Sequence, residues 1–327
     1  MATFKQRAVG AIVGSIIGDA AGVPVHWVYD PNQMNKEILK DREDPEFLET
    51  SHCQFYQLPS GKSSFYGDQI LATLESMVDA KGWSKESFSK KFQTSFGAGT
   101  DYDHAGKGID LSSKPIKAPW MPHVLKCYLA NCKGDGDIYN DSPMNDSEVE
   151  AALLVALYAG KPELAGHLEE MSRTTQNNDL AAEIGITSGL LLEALMQGDK
   201  GLTLEKAIEQ VTPKVKDDSK TWFKEVKEAK EKKTSVMDAA NTFGRACGVP
   251  GNFKTGVFIA LDAGDDFKKA VRESIRAAGD TCGRSAFVGA LMGARLGIDA
   301  LPKDWINKTQ NGAKVQGLAE KLVALRG

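Results

Sequence analysis

Apolar residues along this chain recur at spacings of three and four. Ile70, Leu71, Leu74, Met77 and Val78 mark one such stripe, the repeat of a helix with one buried face. The segments 151–158, 180–196 and 286–296 read the same way, and their Ala and Leu content speaks against strands. Glycine or proline closes several runs: Gly160 with Pro162, Gly198, and Gly297 with Pro302. Roughly a dozen helical segments joined mostly by short loops follow from this pattern. Convincing strand alternation is absent, so the expected fold is all-α, a compact helical bundle.

Two stretches break the pattern. Residues 97–122 and 134–145 hold glycine, proline and polar groups with no shift in the flanking composition. Loops this long inside a helical protein often line a site. The lysine- and glutamate-rich segment 213–234 keeps an apolar face of Trp222, Phe223, Val226 and Ala229, with Glu228 and Lys232 four apart. It reads as a solvated surface helix.

Gly10, Gly14 and Gly18 share one face of the first helix, and Gly289, Gly293 and Gly297 recur at the same spacing near the other end. Glycine costs up to about 1 kcal/mol per interior helical position relative to alanine. Three in a row predict a close approach of backbones. The two helices are therefore expected to pack together, making residues 1–327 one domain.

With 42% hydrophobic and 26% charged residues among 327, the composition is that of a globular chain. The formal charge of −4 offers no basic face for nucleic acid. Cys53, Cys127, Cys132, Cys247 and Cys282 are an odd, scattered set rather than a disulfide framework. The N-terminal residues lack the basic start and cleavage site of a signal peptide, and the apolar run 8–17 is too short for a bilayer. A cytoplasmic protein with reduced thiols, and neither nucleic-acid nor membrane partners, is expected.

Three aspartates lie beside glycine-rich turns. Asp19 follows the first glycine stripe in Gly18-Asp19-Ala20-Ala21-Gly22-Val23-Pro24. Asp68 opens a helix in Tyr66-Gly67-Asp68-Gln69, and Asp280 opens another in Gly279-Asp280-Thr281-Cys282-Gly283-Arg284. Each alone is explained as a cap favoured by the helix dipole. Together they suggest carboxylates converging on one cleft.

In these residues the chain resembles the ADP-ribosylglycohydrolase family. Gly18, Asp19, Gly22 and Pro24 match its first turn, and the Asp68 and Asp280 turns match its two acidic motifs. The turn Thr174-Thr175-Gln176-Asn177-Asn178 matches the one before its long helix. Within the family, Pro24-Val25-His26-Trp27-Val28-Tyr29 and Gly279-Asp280-x-Cys282 resemble the J1-crystallin branch, which includes jellyfish eye-lens proteins and a fish selenoprotein group. The resemblance implies an all-helical, intracellular protein and a cleft for an ADP-ribose-like small molecule. Asp19, Gln69, Asn177, Asn178, Cys282 and Arg284 become candidate ligand-binding residues.

Hydrolytic members hold two Mg²⁺ ions on paired acids, whereas here Asp68 stands alone in its motif. Cys282 replaces an acid after Asp280, Gly283 a threonine, and His26 a common glutamate. Thiolate suits Mg²⁺ poorly. Asp68 and Asp280 are thus the remnant of a degenerate metal site, with Mg²⁺ the one candidate cofactor. If chemistry persists, Asp68, Asp280 and His26 are the candidate acids and bases. Arg284, one turn into its helix, either replaces the lost cation or is paired elsewhere. Cys282, near a helix N-terminus, is either a low-pKa thiol or an inert buried one.

Other patterns fail. Asp137, Asp141 and Glu148 fit three positions of a calcium loop, but Tyr139 and Ser142 break it. The histidines never pair at metal-ligand spacing, and Asp101 and Asp103 read as loop acids. Three functions remain: an abundant structural protein or ADP-ribose-like binder of the crystallin type, a hydrolase of ADP-ribosyl or related glycosidic bonds, and thiol chemistry at Cys282.

Overall fold

The first helix begins at a reciprocal cap. The Thr3 hydroxyl accepts the Gln6 N–H at 3.2 Å, and the Thr3 N–H donates back to Gln6 Oε1 at 2.8 Å. The computed structural model describes residues 2–40, 42–134, 141–199 and 201–326. Within them lie fifteen α-helices: α1 (Phe4–Gly22), α2 (Phe65–Ala80), α3 (Lys85–Phe96), α4 (His123–Lys133) and α5 (Asp146–Tyr158). They continue as α6 (Leu164–Thr175), α7 (Asp179–Gln197), α8 (Leu204–Val211), α9 (Asp217–Glu231) and α10 (Val236–Phe243). The last are α11 (Gly251–Ala263), α12 (Phe267–Arg276), α13 (Thr281–Leu296), α14 (Lys303–Lys308) and α15 (Gly312–Ala324). Among the described residues strand-like pairing is confined to three isolated bridges, so the fold is all-α. The count exceeds the expected dozen because α8, α10 and α14 are too short to show a long apolar stripe.

α1 and α13 pack antiparallel at the centre. Gly10 faces Gly293, Gly14 faces Gly289, Gly18 faces Ser285 and Gly22 faces Thr281. A Cβ added at Gly14, Gly18 or Gly289 would run into the opposing main-chain carbonyl. The two glycine stripes thus do meet, with one correction: Gly297 lies beyond α13 as its cap, at φ 83°. Ser285 and Thr281 extend the seam instead.

Every residue of α1 from Arg7 to Gly22 is buried, and so is every residue of α13 from Thr281 to Ala294. Helices surrounded on all sides need no amphipathic stripe. The segment Phe4–Val25 has the length and hydropathy of a membrane span, longer than the apolar run read from the sequence, yet from Arg7 onward it is buried inside the protein. Arg7 is tolerated there because its guanidinium donates to the carbonyls of Leu195 and Gly198, at 2.8 and 2.6 Å, at the end of α7.

Of the two irregular stretches, 97–122 forms a long loop without helix. The second includes residues 135–140, so Asp137 and Tyr139 lie outside the described residues. In α9, Trp222, Phe223 and Val226 are buried and Lys232 sits 3.9 Å from Glu228, an exposed face as expected.

Candidate functional site

Ala278 and Gly279 both adopt left-handed backbone, at φ 63° and 74°, and this turn delivers Asp280 to the N-terminus of α13. Asp280 is the cap: its Oδ1 accepts the Gly283 N–H at 3.0 Å. The same oxygen lies 2.9 Å from His26 Nε2. Oδ2 accepts amide N–H groups from Asn145 at 2.9 Å and Asn252 at 3.0 Å, with the Tyr66 hydroxyl at 3.5 Å. Burial pushes this carboxyl up, but the bonds and charges of His26, Arg284 and the Gly283 N–H outweigh it and hold the pKa below the ordinary value.

His26 is as deeply buried as Asp280, and burial lowers its pKa against the pull of Asp280. A neutral ring fits its neighbours. The Tyr56 hydroxyl donates to Nδ1 at 2.6 Å, which leaves the proton on Nε2 to be donated to Asp280.

Asp19, buried at the end of α1, accepts the Ser64 N–H at 2.8 Å and also the Ser64 hydroxyl. Burial first, and then the charges of Asp68 and Asp280, raise it to about 7 against those bonds. Asp68 sits in the first turn of α2, where Ser64 rather than Asp68 is the cap. Burial raises it to about 6, while the Tyr102 hydroxyl, donating at 2.7 Å, opposes that rise. Asp19 is thus within reach of the charges of both Asp68 and Asp280.

Gln69 is buried beside them and donates to Asp146 at 3.0 Å. Asp146 belongs to a set of three acids buried on α5, Asp146, Glu148 and Glu150, of which the sequence marked only Glu148, as a position of a broken calcium loop. Burial raises Asp146 to about 6 and Glu150 to about 8, the latter accepting from Thr73 at 2.5 Å. Burial also raises Glu148 well above its usual range, helped by the charge of Asp280 and only partly opposed by the Asn145 side chain. A signal was present. Acids two apart on a helix point about 200° from each other, so this set cannot share one solvent face.

For Arg284 and Cys282 the structure takes the second of the two alternatives, paired elsewhere and buried. Arg284 makes no ion pair with Asp68 or Asp280 among the described residues. It donates instead to the carbonyls of Ser274 (2.7 Å), Ala278 (2.6 Å) and Arg245 (3.0 Å). The Ser274 and Ala278 carbonyls, at the end of α12 and in the left-handed turn, have no helical donor and are satisfied by the buried guanidinium. Arg245 O accepts from both Arg284 and the Asp280 N–H. Cys282 is wholly buried, and desolvation raises its thiol well above normal, so the lowering expected at a helix N-terminus is overridden. Asn178 caps α7 and donates to Asp141, while Asn177 is exposed and accepts from Arg173. The partners seen for Asn178 are thus Asp141 and the cap of α7, not Asp68 or Asp280. Gln176 does act at the rim, donating to the carbonyls of Ser142 and Met144 at 3.0 Å each.

The segment 141–145 closes over Asp280. The Asn145 N–H donates to Cys247 O and the Val249 N–H to Pro143 O, both at 3.0 Å. Gly283 makes this possible. A Cβ there would stand 2.7 Å from Asp280 Oδ2 and displace the Asn145 amide. Asp19, His26 and Asp280 are all 0% exposed. A surface cavity lined by Tyr102, His104, Trp120 and Lys126 opens beside the group that bonds Asp68, without any of those three in its wall.

This arrangement does not fit Mg²⁺. A hard cation needs several oxygens with free lone pairs, whereas the oxygens of Asp280 face N–H and O–H donors. Among the described residues no three His, Cys, Asp or Glu are grouped to hold a metal.

The sequence profile of the ADP-ribosylglycohydrolase family matches residues 1–327. Crystallin J1A of Tripedalia cystophora is 32% identical over 320 residues, 97% of this chain and 96% of its own length. Crystallin J1B of the same animal is 31% identical over 324 residues, covering 98% and 97%. A solved chain described as an ADP-ribosylglycohydrolase-related protein complex superposes over 100% of both chains, with a TM-score of 0.71 at 18% identity, a likeness of fold.

Proposed function

The chain belongs to the ADP-ribosylglycohydrolase family, and from that premise we propose that it keeps the family's helical frame without the two-metal hydrolysis, serving as an abundant structural protein of the crystallin type. One observation carries this reading: the Asp280 carboxylate is enclosed by donors from His26, Asn145, Asn252 and Gly283. Metal-assisted cleavage uses the cation as Lewis acid and to activate water. A carboxylate whose lone pairs are taken up by protein donors supplies no seat for it. The likeness to two jellyfish crystallins over nearly their whole length supports the structural role.

A second reading, metal-free hydrolysis, is favoured by the pKa pattern. Asp68, raised to about 6, is the kind of carboxyl that serves as a general acid, while Asp280 is held ionised. Against it stands the complete burial of Asp280. The test has two parts: assay of ADP-ribosyl hydrolysis from pH 5 to 8 with and without Mg²⁺, and quantification of the chain in the tissue that makes it. Absence of turnover in a chain that is a major fraction of soluble protein supports the structural role. Turnover without metal, lost in Asp68→Asn, replaces it with the second reading.

A further inference from the structure

Trp27 follows His26 and its ring lies 4.5 Å from the histidine ring, but it is only half-buried and reaches the surface. Its backbone is left-handed at φ 61°, rare for so large a residue, and its N–H is held by Gly279 O at 2.9 Å. Phe55 and Trp120, also half-buried, stand beside it. The Trp27–Phe55 centroids are 5.3 Å apart at 84°, Trp27–Trp120 6.0 Å at 87°, and Phe55–Trp120 5.8 Å at 74°. Three rings standing nearly upright to one another form the walls of a corner.

The corner is built on anchored backbone. The Ile116 N–H donates to Phe55 O at 3.0 Å and the Gln57 N–H to Ile116 O at 2.8 Å, which locks residues 55–57 to 115–117. Next to Trp120, the Pro119 carbonyl lies 2.8 Å from His104 Nε2. This pairing brings the exposed Lys114 over two of the three rings. Its ammonium lies 5.2 Å from the Phe55 centroid and 5.3 Å from that of Trp120, and it makes no ion pair with a described carboxylate.

We propose that Trp27, Phe55 and Trp120 form an aromatic cage for a quaternary ammonium head group, and that Lys114 fills it as an internal stand-in until such a ligand displaces it. The ring faces attract any cation. A primary ammonium is compact and strongly hydrated, so it gives up much water to enter. A quaternary ammonium spreads its charge over methyl groups and adds apolar contact, so it is the better occupant. Exchange leaves no charge stranded, because the Lys114 chain already runs through solvent. The site adjoins the closed acids through the Trp27–His26 contact but uses none of their oxygens, so it does not rest on their role.

Calorimetric titration with choline tests the cage, with 3,3-dimethylbutan-1-ol as its neutral isostere. The native chain should bind choline saturably, Lys114→Ala about fivefold more tightly, and the isostere should bind neither measurably. Phe55→Leu placed in Lys114→Ala keeps apolar volume but removes a wall, and should lose the gain with an unchanged thermal midpoint. A trimethyl-lysine peptide binding tighter than choline would assign the head group to a modified chain; the reverse assigns it to a free small molecule. Equal affinity for choline and its isostere overturns the cage. Binding by Lys114→Ala with none by the native chain at saturating choline overturns the exchange.

Discussion

His26 Nε2 lies 2.9 Å from Asp280 Oδ1, and neither side chain is exposed to solvent. The histidine, neutral and fixed by Tyr56, acts as one of several N–H donors around a buried negative charge. Those donors make Asp280 a structural hub joining α1, α5, α11 and α13. Asp280→Asn would turn an amide toward the N–H groups of its neighbours and leave several of them unpaired. It should cost at least about 3 kcal/mol, measured by urea unfolding of the native and mutant chains.

The buried acids set the pH dependence of stability. Asp19 is raised to about 7, Asp146 to about 6 and Glu150 to about 8. Between their unfolded values and these, the folded chain holds protons that the unfolded chain has released. Their contribution is complete below the unfolded values and is lost as pH rises through the folded ones. His26, with its pKa lowered, acts oppositely below its ordinary value of 6.5. The thermal midpoint should therefore be higher near pH 6 than near pH 8.5, and Glu150→Gln should flatten the upper part of that fall.

The central seam tolerates no side chain at its tightest points. Gly14→Ala would press a methyl group into the carbonyl of Gly289. The cost should reach at least about 3 kcal/mol, or prevent folding altogether. Gly166→Ala, which meets nothing within 4 Å, should leave stability unchanged or slightly raised in the same unfolding experiment.

Cysteine reactivity should follow exposure. Cys132 is exposed, whereas Cys282 and Cys53 are buried with raised thiol pKa values. Iodoacetamide followed by mass spectrometry should mark Cys132 first and Cys282 only on unfolding. Early alkylation of Cys282 in the folded chain would revive thiol chemistry there.

The helical fold was readable from apolar spacing such as Ile70, Leu74 and Met77, and the packing of α1 on α13 from glycine spacing, because Gly10, Gly14, Gly289 and Gly293 repeat every four residues where backbones touch. The acids Asp19, Asp68 and Asp280 were readable for their turns. Their partners were not. Asn145 and Asn252 reach Asp280 from 135 and 28 positions away, and nothing local marks either as a donor to it. For Arg284, helix spacing alone left open a place beside the acids or a pairing elsewhere, because the carbonyls that hold it come from the end of α12, the turn after it and the distant Arg245.

Donors from His26, Asn145, Asn252 and Gly283 enclose the Asp280 carboxylate and leave no seat there for a metal-bound ligand. Calorimetric titration of the native chain with ADP-ribose, with and without Mg²⁺ in the millimolar range, tests this enclosure most directly. The enclosed carboxylate predicts no saturable heat in either condition; saturable binding that requires Mg²⁺ would contradict it.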